Sequence, residues 1–150
     1  MQDDLIKKIA SLMAEQSGAF ASLESHTELL IVALTLCEPE RIDSIARAAE
    51  AELFKMRSRL LDITSNLSAF SEERASQAET QPLDPDARGS FETAAKQLLE
   101  TARRFEKVAG RADSLALGGL SFATAHIQNC GLPPSTYRAP VLRSGRGWSA

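Results

Sequence analysis

Apolar residues return at steps of three and four along most of the chain, the mark of helices that each hide one face. In the first segment Leu5, Ile9, Leu12, Phe20, Leu23, Leu30 and Leu34 form such a stripe, and Asp3 stands where an N-cap belongs. The pattern predicts a helix over residues 3–36. Its end, Leu29-Leu30-Ile31-Val32-Ala33-Leu34, is apolar all round, which predicts burial on more than one side.

A break follows at Cys37-Glu38-Pro39-Glu40. Pro39 suits the first turn of a new helix, where its missing N–H is not needed, and it disfavours helical geometry at Glu38. So short a connection predicts an antiparallel neighbour. That second helix, expected over 39–76, has the most regular pattern in the chain. Ile42, Ala46, Ala49, Leu53, Met56, Leu60, Ile63, Leu67 and Phe70 alternate steps of four and three, the spacing of a coiled-coil seam.

Residues 77–89 read as a linker, polar and carrying Pro82, Pro85 and Gly89. Asp84-Pro85 offers a helix start, but Gly89 predicts that regular structure resumes nearer Ser90. A third helix is expected over 90–129, with Phe91, Ala95, Leu98, Ala102, Phe105, Ala109 and Ala112 on one stripe and Gly131 and Pro133-Pro134 beyond its end. The expected fold is all-α: a long antiparallel coiled-coil-like hairpin with a third long helix, as an elongated three-helix bundle. One helical domain over 1–137 and a flexible tail over 138–150 complete the expectation.

Composition supports this reading. The chain has 23 alanines and 19 leucines, and only 5% of its residues are aromatic. A net charge of −3 and a pI near 5.4 argue against nucleic-acid binding, which needs a basic surface. The most apolar run, Leu29 to Cys37, falls well short of the roughly 18 residues that a membrane-spanning helix needs. No membrane insertion is expected. The acidic start, Met1-Gln2-Asp3-Asp4, is unlike a secretory or mitochondrial signal, and two cysteines build no disulfide framework. These features predict a cytoplasmic protein with reduced thiols.

Catalytic chemistry is scarce. His26 and His126 sit in no metal-binding spacing and read as polar or half-buried helix residues. Cys37 and Cys130 are far apart and lack the CxxC spacing of a zinc or redox site. Gly118-Gly119 lies within a helical pattern, and Gly145-Arg146-Gly147 has no strand and helix around it, so neither is a phosphate cradle. Glu38, Glu40, Asp43, Glu50 and Glu52, beside Arg41, Arg47 and Lys55, read as a solvated face. No enzyme activity, no cofactor and no bound metal are expected.

One segment departs from the average. From Ser114 to Tyr137 there is no Asp, Glu, Lys or Arg, in a chain that is 25% charged. Leu115, Leu117, Leu120, Phe122 and Ile127 give it a broad apolar surface, interrupted by the Gly118-Gly119 pair. Two readings stand side by side: a segment that folds back on the apolar end of the first helix, and a surface that receives a partner. Membrane contact ranks below both, because no basic residues flank the apolar face. The last residues carry Arg138, Arg143, Arg146 and Trp148 without an acidic group.

Taken together, the chain resembles the FlgN family of flagellar export chaperones. The resemblance runs through Leu29-Leu30, the acidic break Cys37-Glu38-Pro39-Glu40-Arg41-Ile42, and Leu53 to Leu61 with Arg57 and Arg59. It continues through Ser114-Leu115-Ala116-Leu117 and ends at Pro134-Ser135-Thr136-Tyr137. It implies a cytoplasmic chaperone that binds the C-terminal amphipathic helices of hook–filament junction proteins and delivers them to the flagellar type III export gate. The client helix would lie on Leu115, Leu117, Leu120, Phe122 and Ile127, and Tyr137 would correspond to the tyrosine that docks at the gate. A monomer or weak homodimer is expected. The alternative is a structural coiled-coil adaptor, permanently bound to a partner or to itself.

Overall fold

The computed structural model describes residues 1–77 and 82–129, and every regular element among them is α-helix. α1 spans Gln2–Thr35, α2 spans Pro39–Ser76 and α3 spans Pro85–Asn129. The chain divides into two units, Met1–Leu115 and Ala116–Ala150. The first contains α1, α2 and most of α3. Of the second, the structure describes the remainder of α3.

α1 and α2 form the antiparallel hairpin that the short break predicts. Its corner is closed by backbone alone. The N–H of Glu38 donates to the carbonyl of Ala33 at 3.0 Å, and the N–H of Cys37 to that of Leu34 at 3.3 Å. This double closure normally uses a glycine with positive φ. Here Cys37 takes that place at φ 54°, a strained position for a residue with a Cβ. Pro39 then opens α2, and the Arg41 guanidinium reaches back to Glu38 at 3.0 Å.

The core of the first unit is a seam with two clusters. In one, Ile6, Ile9, Ala10 and Met13 of α1 meet Ile63 of α2 and Ala87 and Ala94 of α3, flanked by Phe70, Phe91 and Leu98. In the other, Ala19, Leu23 and Met56 pack with Phe20, Ala49 and Phe105. The rings of Phe20 and Phe105 lie 5.7 Å apart and tilted by 46°. All three helices are therefore packed on one another. α3 runs parallel to α1, because the N–H of Asp84 donates to the Asp3 carboxylate at 3.1 Å and Arg104 meets Glu24 at 3.8 Å.

A polar clamp sets the register of the hairpin. Gln16 is buried in the seam, its amide N–H donates to the carbonyl of Met56 at 3.3 Å, and its amide oxygen accepts from Arg59 at 3.1 Å. Arg59 also pairs with Glu15 at 3.3 Å. A slip of the helices would leave buried Gln16 without partners, at about 1–3 kcal/mol.

Several expectations are corrected in detail. Asp3 is not the N-cap: Met1 holds that position without a side-chain cap bond, and Asp3 instead receives the N–H of Asp84. The apolar end of α1 is not buried on several sides. Ala33 alone is buried there, while Leu29, Val32 and Leu36 are exposed.

On α2 the inward line is Ile42, Ala49, Met56, Ile63 and Phe70, as the seam predicts. The second expected line is rotated outward over most of its length, leaving Ala46, Leu53 and Leu60 exposed, while Leu67 still packs against the first cluster. Ile45, Glu52, Arg59 and Asn66 turn inward in their place, following the clamp at Gln16. α3 starts at Pro85 and not near Ser90. Gly89 sits inside its first turns, facing solvent with no atom near its Cα that a side chain would meet. Proline at the first helical position outweighs one glycine, whose cost is about 1 kcal/mol.

Candidate functional site

The covered face of α3 is a line of small residues at seven-residue steps. Ala87, Ala94, Thr101 and Val108 are all buried, with Phe91, Leu98, Phe105 and Ala112 four residues after each. This is the a/d spacing of a coiled coil. Ala112 is the last buried residue. From Asp113 to Asn129 every position is exposed, although the helix continues.

The apolar residues singled out from the sequence lie in that stretch. Leu115 is 44% exposed, Leu117 51%, Leu120 41%, Phe122 76% and Ile127 42%. Leu115 continues the buried line by one step of seven, and Phe122 by two. The expected Tyr137 and the flanking Cys130 and Trp148 lie outside the described residues, as do the linker positions 78–81.

The local chemistry keeps this surface apolar. The Ser114 hydroxyl donates to the carbonyl of Gly110 at 2.9 Å, and the Thr124 hydroxyl to that of Leu120 at 2.9 Å. Both satisfy themselves within the helix and offer little to water. His126 stacks on Phe122, with ring centroids 6.3 Å apart and planes 8° from parallel. The pair forms a flat aromatic step on the surface.

Helical phase arranges the five residues as relief. On the helical wheel Leu115 and Phe122 fall on one ridge and Leu120 and Ile127 on a second, with Ala116, Gly119 and Ala123 in the arc between them and His126 at its Phe122 edge. Leu117 stands on the outer side of the second ridge. A ridge–groove–ridge surface of this kind accepts the side-chain row of another helix, and the small floor allows close backbone approach. Nothing lies within 4 Å of where a Cβ on Gly118 or Gly119 would stand.

Reactive chemistry does not converge elsewhere. Among the described residues no group of three His, Cys, Asp or Glu side chains could hold a metal ion. No helix among them is long and apolar enough to cross a membrane. His26 is half-buried, as its helical position suggests, and its Nδ1 is buried without a hydrogen-bond partner. Arg88 donates to Glu92 at 2.8 Å, and that hydrogen bond holds its guanidinium above the ordinary arginine value. The pair is one turn apart and sits at the edge of an apolar cleft lined by Ile6, Leu67, Phe70, Leu83 and Phe91, where it serves as a local surface ion pair.

A second apolar surface escaped the reading of the sequence. Leu53, Phe54, Leu60 and Leu61 of α2 are all exposed. Leu53 and Leu60 belong to the expected seam, while Phe54 and Leu61 enter the sequence reading only within the Leu53 to Leu61 stretch of the family resemblance. The signal was present as two neighbouring apolar residues repeated after seven positions, which widens a stripe beyond what one seam covers.

No family model, no curated protein and no solved structure matches this chain.

Proposed function

We propose that this chain is a non-catalytic, cytoplasmic helix-binding chaperone of the flagellar type III export system. In this reading it holds the C-terminal amphipathic helices of hook–filament junction proteins unassembled and export-competent. One observation carries the reading: the last 17 residues of α3 are helical, exposed throughout, and present Leu115, Leu117, Leu120, Phe122 and Ile127 without a charged side chain after Asp113. A client helix with an apolar stripe self-associates in water unless a complementary surface covers it. The two ridges and the small floor of α3 supply that surface, and Leu115 and Phe122 prolong the covered seam of α3 in sequence. Reversible helix-on-helix docking needs no nucleotide and no metal. The resemblance to FlgN chaperones in Leu29-Leu30, Cys37 to Ile42, Leu53 to Leu61 and Pro134 to Tyr137 names the client class, and Tyr137 is the proposed contact with the export gate.

The test is titration of the full chain with the C-terminal helices of a hook–filament junction protein, followed by calorimetry. Wild type is expected to bind with micromolar affinity. Leu120→Asp together with Phe122→Asp is expected to lose binding at least about 50-fold while retaining its helical circular dichroism and unfolding midpoint. Binding that survives this double substitution would remove the site from α3.

A permanently bound adaptor is the second reading, favoured by the further exposed apolar residues Leu29, Val32 and Leu36 at the hairpin end. An obligate subunit aggregates or unfolds when purified alone. A chaperone remains folded and waits.

A further inference from the structure

α2 carries an exposed apolar face that nothing in the first unit covers. Leu53, Phe54, Leu60 and Leu61 leave 48%, 77%, 43% and 66% of their surfaces open. On the helix they span an arc of roughly 120°, with Ala46 on the same arc. Two charges stand along the middle of that arc, Glu50 and Arg57, seven residues apart. Both are exposed, and neither has an ion pair among the described residues. Two turns separate them, too far for one to neutralise the other on the same helix.

We propose that this face pairs with the same face of a second copy, α2 against α2 in antiparallel orientation, about a two-fold axis between Leu53 and Phe54. The register follows from the charges. In an antiparallel pair centred there, residues whose numbers are equally far from the axis share a layer. Glu50 of one copy then shares a layer with Arg57 of the other, and the symmetry repeats the pair on the far side. Leu53 shares its layer with Phe54, and Ala46 with Leu61, so that a small side chain faces a large one. The aliphatic stem of Arg47, whose guanidinium is held by Asp43 at 3.0 Å, lies level with Leu60.

Two competing arrangements fail on the same charges. Centring the pair on Arg57 sets that guanidinium against its own copy, and parallel pairing in register sets Glu50 on Glu50 and Arg57 on Arg57. Like charges in one layer disfavour both. The pattern is thus self-complementary in the arrangement centred between Leu53 and Phe54, which layers both the charges and the apolar residues. A single helix pair buries less than the roughly 1,600 Å² of a standard interface, so the dimer is a weak one, with a dissociation constant of about 10–100 µM. This face lies on α2, separate from the end of α3, so dimerisation and client binding are independent claims.

Sedimentation velocity on the full chain from 1 µM to 1 mM tests the proposal without any client. Wild type is expected to pass from monomer to dimer over that range. Glu50→Arg alone, or Arg57→Glu alone, converts two attractive layers into repulsive ones and is expected to weaken the dimer about ten-fold. The two substitutions together restore the pairing with the charges exchanged, to within about three-fold of wild type. Both positions are exposed and form no ion pair among the described residues, so circular dichroism is expected to stay unchanged in every variant. A chain that remains monomeric at 1 mM, a dimer indifferent to the single reversals, or a double variant that fails to recover would each overturn it.

Discussion

One helix, α3, carries the same seven-residue spacing through two environments, and the difference between them is instructive. Up to Ala112 its seven-residue line is Ala87, Ala94, Thr101 and Val108, small side chains and all buried. Beyond Ala112 the same line continues with Leu115 and Phe122, the larger side chains, and these are exposed. Hydrophobicity rises along the line as burial falls. Burial in this protein is therefore set by what stands opposite a residue, not by how apolar the residue is. Where α1 and α2 stand opposite, small residues let three helices close together. Where none of the described residues stands opposite, the large residues stay exposed, which is the condition the proposed client surface requires.

The most direct way to break that comparison is to truncate one large residue in each environment. Leu23 is 1% exposed at the heart of the second cluster, and Leu23→Ala is expected to cost about 3 kcal/mol in urea unfolding followed by circular dichroism. Phe122→Ala removes a larger side chain, yet it is expected to change stability by less than about 0.5 kcal/mol. A loss at Phe122 approaching that at Leu23 would place the end of α3 in the core.

Enlarging small residues probes the same difference from the other side, with a smaller effect. Ala94 is 5% exposed and packs against Ile6, Ile9 and Ile63, so Ala94→Leu overfills the seam at about 1–3 kcal/mol. Ala123 is exposed, and Ala123→Leu is expected to leave the unfolding midpoint within about 0.5 kcal/mol of wild type. The same change fills the floor between the two ridges, so client binding, measured by calorimetry, is expected to weaken.

The sequence-level reading and the structure agree most closely where the signal is local. Pro39 marks the start of α2, and the 4-3 pattern carries it to Ser76 as expected. The charge-free stretch after Asp113 is visible as composition and coincides with the uncovered end of α3. What the pattern does not contain is the identity of the neighbour. Leu53 and Leu60 have seam spacing, yet Gln16 and Glu15 draw Arg59 inward and turn those leucines to solvent. The apolar end of α1 has the look of a core segment, but Ala33 alone is buried there while Leu29, Val32 and Leu36 are exposed. Gly89 signals a boundary less strongly than Pro85, because an exposed glycine weakens a helix without ending it. In each case the local preference is legible, and the tertiary partner that overrides it is not.

The two glycines at the end of α3 sharpen the comparison most finely, because they stand side by side on different faces. Each lowers helix stability by about 1 kcal/mol relative to alanine, and each has open space where a methyl group would go. Gly118→Ala and Gly119→Ala are therefore both expected to slow amide exchange over residues 114–129 by about five-fold while leaving the global unfolding midpoint unchanged. Their effects on client binding should separate. Gly118 lies outside the groove, beside the ridge of Leu115 and Phe122, so alanine there orders the helix in advance and tightens binding slightly. Gly119 is part of the groove floor, where a methyl group holds the client backbone away, and alanine there is expected to weaken binding by about 1 kcal/mol despite the same gain in order. If both substitutions tighten binding equally, the floor makes no close contact and the glycines serve only to keep the helix end loose.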